Sequence, residues 1–129
     1  MKMKSLTIFI ALTFSAMFSS SSYAGWTKVK IDGDGNTFYV DFERIRKHDG
    51  YIYFWRLSDY LKPLEGYLSA KVYHQGDCKL FRDKRLSYSF HKQPMGGGNA
   101  DVQDPVKKGW HYPSPNSGAE TVLKQVCNR

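Results

Sequence analysis

A single pair of cysteines, Cys78 and Cys127, restricts the fold more than any other feature of the sequence. Two cysteines allow only one pairing within the chain. A bond between them would close a loop of about 50 residues and contribute roughly 4 kcal/mol on the chain-entropy argument. Their separation fits neither a CxxC redox motif nor a zinc motif, so the sequence predicts a structural disulfide in an oxidising compartment.

The N-terminus has the three parts of a secretory signal peptide. A basic start precedes an apolar run from residue 6 to 18, and Ser22–Ala24 places small residues at a cleavage site. The run is shorter than the roughly 20 residues that a membrane-crossing helix needs. No cysteine lies near the cleavage site, so a lipid anchor is not expected, and no second apolar segment follows that could form a transmembrane anchor. Residues 1–24 are predicted to be a signal peptide and residues 25–129 an exported domain.

The predicted mature chain is basic. It carries 17 basic residues against 12 acidic ones, a net charge of +5, because two of the 19 basic residues fall in the signal peptide. Such a balance favours a partner with acidic groups, either a protein or an anionic glycan or other envelope polymer, while export argues against nucleic acid. The basic residues are scattered, and solubility explains them equally well. The candidate ligand contacts are Lys28, Lys30, Lys107 and Lys108.

Strand patterns occupy most of the first two thirds of the mature chain. Trp26–Ile31 and Thr37–Asp41, joined by the turn-rich sequence DGDGN, predict a hairpin. Residues 50–60 are apolar on both faces, which is typical of a strand inside the sheet. Alternating residues predict two further strands, one including Leu68, Ala70 and Val72 and one including Leu86, Tyr88 and Phe90.

The C-terminus predicts a helix. Ser117 and Glu120 have the spacing of a capping box, and an apolar stripe follows on one helical face, formed by Ala119, Val122, Leu123 and Val126. Residues 92–116, rich in proline and glycine, are expected to be irregular, and the glycine triplet at residues 96–98 is expected to be a flexible connection. The predicted fold class is α+β, a twisted antiparallel β-sheet with a C-terminal α-helix tethered to it by a Cys78–Cys127 disulfide.

No catalytic, metal-binding or cofactor-binding motif is evident in the sequence. The four histidines lack metal-ligand spacing and are expected to be exposed polar residues. Asp32, Asp34 and Asn36 match the first ligands of a calcium loop, but Thr37 stands where that loop requires glycine, so a hairpin turn is favoured. No nucleophile–base set argues for an enzyme. The sequence therefore predicts no enzymatic activity, no metal and no cofactor.

Several motifs in the mature chain resemble, in the same order, those of the surface-adhesin protein E family, small exported proteins of Gram-negative bacteria. The resemblance rests on Trp26, on FYVDFERI, on LSAKVYHQGDC and on the C-terminal sequence GWHYPSPNSGAETVLKQVCN. It implies an antiparallel sheet with a disulfide-tethered C-terminal helix, and a non-enzymatic adhesin that binds host matrix or serum proteins. Residues 25–129 are accordingly predicted to form a surface-adhesin protein E-like domain.

Two functions remain open on the sequence alone. The first is an exported binding protein of the cell envelope that acts as an adhesin for host extracellular-matrix or serum proteins. The alternative is a soluble periplasmic structural or accessory factor that binds envelope polymers or another protein, which the missing lipidation cysteine favours. The sequence leaves open whether the protein is periplasmic, secreted or displayed on the cell surface, and it leaves the oligomeric state open.

Overall fold

A computed structural model describes residues 25–105 and 107–129, so the predicted signal peptide lies outside the described residues. Among these residues, seven strands form one sheet and one α-helix ends the chain. The strands are β1 (Trp26–Ile31), β2 (Thr37–Asp41), β3 (Arg46–His48), β4 (Tyr51–Leu64), β5 (Tyr67–Asp77), β6 (Arg82–His91) and β7 (Ala100–Gln103), and the helix is α1 (Gly118–Cys127). The predicted α+β fold class is confirmed.

All strand pairs in the sheet are antiparallel, in the order β1-β2-β4-β5-β6-β7. The long strand β4 pairs with β5 along one side, and with β2 and then β3 along the other. This central position explains why residues 50–60 are apolar on both faces, as predicted. No helix in the described ranges is long and apolar enough to cross a membrane.

One face of the sheet, here called the helix face, packs against α1. Val122, Leu123 and Val126 of the helix are at most 2% exposed and form one core cluster with Val40, Ile52 and Phe54. Gly76 allows this close approach, since a Cβ there would lie 2.9 Å from Ile52 Cγ2 and 3.2 Å from Leu123 Cδ1. Burial of this apolar stripe is the main force that fixes the helix on the sheet.

Both ends of α1 are fixed as the sequence predicts. Ser117 Oγ accepts a hydrogen bond from Glu120 N at 3.1 Å, while the Glu120 carboxylate accepts from Asn116 N, one residue before the N-cap. At the other end Cys127 is bonded to Cys78, with a Cα–Cα distance of 5.7 Å. The bond joins the helix to the turn that follows β5, which confirms the predicted tether.

The opposite face, here called the open face, is partly covered by the loop of residues 92–98. Ser69 Oγ donates to Gln93 O at 2.6 Å and accepts from Gly96 N at 2.8 Å, and Met95 N donates to Asp59 Oδ1 at 2.7 Å. Ser69 is fully buried as a result. The glycine-rich segment that the sequence indicated to be a flexible connection is therefore hydrogen-bonded onto the sheet.

The described part of the sheet has register irregularities in three strand pairs, β1–β2, β4–β5 and β5–β6, which the sequence pattern does not reveal. In the β5–β6 pair, Tyr73 faces Ser87 and His74 faces Arg85, which leaves Leu86 as an extra residue. Leu86 is 39% exposed, whereas the simple alternation placed it with Tyr88 and Phe90 on one apolar face. An extra residue of this kind is a β-bulge, and it breaks the period-2 rule locally.

Candidate functional site

The open face carries a groove of about 440 Å³. The residues that line it come from both edges of the sheet as well as its centre, because the sheet curves round this face. They are Trp26, Asp41, Arg44, Trp55, Lys71, Ser87, Ser89 and Val102. This set is here called the open-face groove.

Strand register explains why these side chains meet. Trp26 pairs with Asp41 across β1 and β2, and Lys71 pairs with Ser89 across β5 and β6. Directly paired residues of antiparallel strands project from the same face, so polar and aromatic side chains far apart in the sequence line one surface. The Trp55 ring lies 4.8 Å from the Tyr73 ring, which extends the aromatic part of this face.

The groove is net positive. Its single carboxylate, Asp41, is 4% exposed and lies 3.2 Å from Arg44 Nε. Asp41 also accepts a hydrogen bond from Glu43 N at 3.2 Å. This partnered acid is neutralised locally, and Lys71 adds a further positive charge to the lining. A basic, aromatic groove of this kind offers apolar contact together with attraction for acidic groups.

The four lysines predicted from sequence lie at separate places. Lys28 pairs with Tyr39 and Lys30 with Phe38, and since these partners are consecutive, the two lysines project from opposite faces of the sheet. Lys30 Nζ donates to Asn116 O at 3.2 Å beside the helix. The irregularity at residue 29 therefore separates two side chains that simple alternation would place together.

Lys107 and Lys108 border two different grooves. Lys107 lines one with Leu64, Tyr67, Tyr88 and Phe90, while Lys108 lines another beside Lys84 and Pro105. Of the predicted lysines, only Lys28 belongs to the open-face row that also contains Lys71. The four residues do not form one patch, and their role in ligand binding stays a prediction.

The expectation of exposed histidines is wrong for two of them. His74 is 3% exposed and His91 is 2% exposed. His91 Nδ1 donates to Gly97 O at 3.2 Å, so its Nε2 accepts from Ser89 Oγ at 2.6 Å. Burial under the loop lowers the pKa of His91, and the nearby Lys71 charge acts in the same direction. The sequence did not predict the burial of His74 and His91, because the alternation of a strand does not show which face of the sheet is covered.

The turn between β1 and β2 uses the residues that also suggested calcium binding. Asp32 Oδ1 accepts from Asp34 N and Asn36 N, each at 2.9 Å, which is the hydrogen bonding of an Asx turn. Asn36 Oδ1 accepts from Leu61 N at 3.0 Å and ties this turn to β4. These side chains close the hairpin, as the sequence predicts.

A curved antiparallel sheet, one tethered helix and a basic aromatic groove define the class, a small disulfide-bonded α+β domain with an exposed groove. The chain belongs to the family described as Surface-adhesin protein E, which it matches over residues 26–128. No curated protein matches the sequence.

Solved structures similar to this chain share its fold. Haemophilus influenzae protein E aligns with a TM-score of 0.62 at 15% identity, covering 88% of this chain and 91% of that one. A second crystal form of that protein gives a TM-score of 0.61 at 15% identity, with coverages of 90% and 97%. Protein E from non-typeable Haemophilus influenzae gives 0.52 at 16% identity, with coverages of 85% and 77%. Such low identities establish the fold alone.

Proposed function

We propose that the protein is a non-catalytic, adhesin-like binding protein of the cell envelope that contacts a host extracellular-matrix or serum protein through the open-face groove. Membership of a surface-adhesin family supports the class of function. The observation that carries the proposed site is the groove itself, in which Trp26 and Trp55 are partly exposed beside Lys71 and Arg44. Tryptophan and arginine are the residue types that most often dominate the free energy of protein binding.

A binding role also fits the contact between Ser89, which lines this groove, and His91. Ser89 and His91 are hydrogen-bonded as a nucleophile and base would be. However, His91 is buried under the loop of residues 92–98 and holds that loop through Gly97 O. We assign the pair a structural role, and we expect no turnover of ester or amide substrates by the wild type or by Ser89→Ala. Hydrolysis by the wild type that Ser89→Ala abolishes would contradict the non-catalytic assignment.

The binding proposal is tested by measuring the affinity of the mature protein for immobilised matrix and serum proteins. Trp55→Ala should weaken binding by about tenfold or more, as loss of a central aromatic contact does. The matched control is Tyr112→Ala, which removes an aromatic ring that is 65% exposed outside the groove. The control should stay within about twofold of the wild type. Equal losses in the two variants would contradict the assignment of the groove.

The charge contribution is tested separately by salt. Raising the ionic strength screens exposed charges, so affinity should fall as salt is added. Lys71→Gln should reduce that salt dependence, while Lys79→Gln, a change at an exposed residue in the turn after β5, should leave it unchanged. A salt dependence that is the same in both variants would exclude Lys71 as the contact.

The location of the protein distinguishes an adhesin from the periplasmic alternative. An epitope tag at the C-terminus allows protease digestion of intact cells to be compared with release by osmotic shock. Digestion on intact cells, or protein in the medium, is the outcome expected of an adhesin. Protection on intact cells with release only by shock would contradict the adhesin role and support a periplasmic accessory factor.

A further inference from the structure

A partly buried basic cluster lies on the helix face beside the core, on strands β4, β5 and β6 and the segment that carries His111. His74 pairs across the sheet with Arg85, and Asp83 is joined to His111 by backbone hydrogen bonds of 2.9 and 2.8 Å. Arg56 on β4 is close enough to Asp83 and Arg85 for their charges to interact. These five residues, here called the basic cluster, include one carboxylate.

Nitrogen atoms of the cluster are buried without hydrogen-bond partners among the described residues. They are Arg56 Nε, Arg85 Nε, His74 Nε2 and His111 Nε2. A guanidinium cannot lose its proton in a protein, so the two arginine Nε–H groups are always donors. A buried donor without an acceptor destabilises the folded protein, and more so when it is charged. Two such donors close together favour a bound acceptor.

The charges in the cluster do not balance. Burial lowers the pKa of Arg56, and the charge of Arg85 lowers it further. Burial also lowers the pKa of His74 to about 4, so this ring is neutral at pH 7 and its Nδ1–H donates to Asp83. Within the cluster itself, two partly buried guanidinium groups therefore face one carboxylate. Buried charges are normally paired, and an anion would supply the missing negative charge.

Neutral His74 also indicates which anion fits. With the proton on Nδ1, Nε2 is an acceptor and needs a donor from any group bound beside it. Hydrogenphosphate has both acceptor oxygens for the arginines and an O–H group for this nitrogen, whereas sulfate has no proton at neutral pH. The donor and acceptor pattern thus favours a phosphate group over a sulfate group.

A surface groove of about 570 Å³ reaches the edge of the cluster at Arg85, which is the one cluster residue that lines it. Three aromatic side chains form part of its wall, with the Phe90 ring 5.2 Å from the Tyr67 ring and 5.5 Å from the Tyr88 ring. Charged side chains at the groove are of both signs: Arg85 and Lys107 against Glu65 and Asp104. A phosphate group carried on a sugar could thus reach Arg85 from solution.

We propose that the basic cluster binds a phosphate group, either free or carried on a sugar, through Arg56, Arg85 and His74. This site lies on the helix face and is separate from the open-face groove. It therefore does not depend on the proposed adhesin function.

Isothermal titration in phosphate-free buffer, with inorganic phosphate as the probe, tests the site. Phosphate should bind the wild type, and Arg56→Gln and Arg85→Gln should each weaken it by about tenfold or more, as loss of a charged hydrogen bond does. The matched control is Arg46→Gln, which removes an exposed positive charge on β3. Failure of phosphate to bind, or equal weakening in all three variants, would overturn the site.

Two further probes are measured on the wild-type protein, so their results do not depend on whether a variant folds. Sulfate should bind the wild type at least about tenfold more weakly than phosphate, because it lacks the proton that His74 Nε2 accepts. Equal affinity would overturn the role of His74. Glucose 6-phosphate distinguishes the two sources of phosphate: tighter binding than inorganic phosphate supports a sugar-borne group that enters through the groove, and binding of inorganic phosphate alone supports the free ion.

Discussion

His74 should make the stability of this protein sensitive to mild acid. Its ring is 3% exposed and stacks on Phe54, with ring centroids 4.8 Å apart. The charged groups that face it are Arg56 on β4 and Asp83 and Arg85 on β6, with His111 across from Asp83. Burial lowers the pKa of His74 by more than the hydrogen bond to Asp83 raises it. The charges of the two arginines also lower this pKa, so it falls to about 4.

The sign and size of the effect follow from proton linkage. In the unfolded chain a histidine has a pKa near 6.5. Between about pH 6.5 and pH 4, His74 is therefore protonated in the unfolded state and neutral in the folded state. The contribution of neutral His74 to the free energy of unfolding is fully present above this pH range and is lost as the pH falls through it. At about 1.4 kcal/mol per unit of pKa difference, the free energy of unfolding should drop by about 3 kcal/mol.

Urea unfolding in phosphate-free buffers between about pH 4.5 and pH 7.5 measures this slope. His74→Gln removes the titrating group and should flatten the slope, whatever it does to the absolute stability. His48→Gln is the matched control, because the His48 side chain is 73% exposed. The pKa of buried His91 is also lowered, so a smaller slope of the same sign should remain. An equal slope in wild type and His74→Gln would refute the reasoning.

Two further predictions concern the contacts that hold the helix and the loop. Cys127→Ser should destabilise the protein by roughly 4 kcal/mol, because it opens a loop of about 50 residues and releases α1. Reduced wild type should melt at the same temperature as this variant, and an unchanged melting temperature in non-reducing buffer would contradict the prediction. Ser69→Ala should cost about 1–3 kcal/mol in urea unfolding, since the buried hydroxyl bonds both Gln93 O and Gly96 N. A change below about 0.5 kcal/mol would show that the loop of residues 92–98 does not depend on this serine.

Elements with local signals could be predicted from the amino-acid sequence. The hairpin of β1 and β2 follows from a turn rich in Asp and Gly between alternating strands, and the start of α1 follows from the Ser117–Glu120 spacing. Cys78 and Cys127 could pair only with each other. The resemblance to the surface-adhesin family could also be recognised from several motifs that occur in the same order. The signal peptide at residues 1–24 stays a prediction.

The surfaces that these elements create depend on contacts between strands that are distant in the sequence. An irregularity at residue 29 sends Lys28 and Lys30 to opposite faces, and an extra residue at Leu86 interrupts the apolar face of β6. Alternation specifies only that neighbouring residues differ in face, so it cannot show a bulge or tell which face a loop will cover. For that physical reason the burial of His74, the assembly of the open-face groove and the basic cluster follow from contacts between distant strands, which no local pattern encodes.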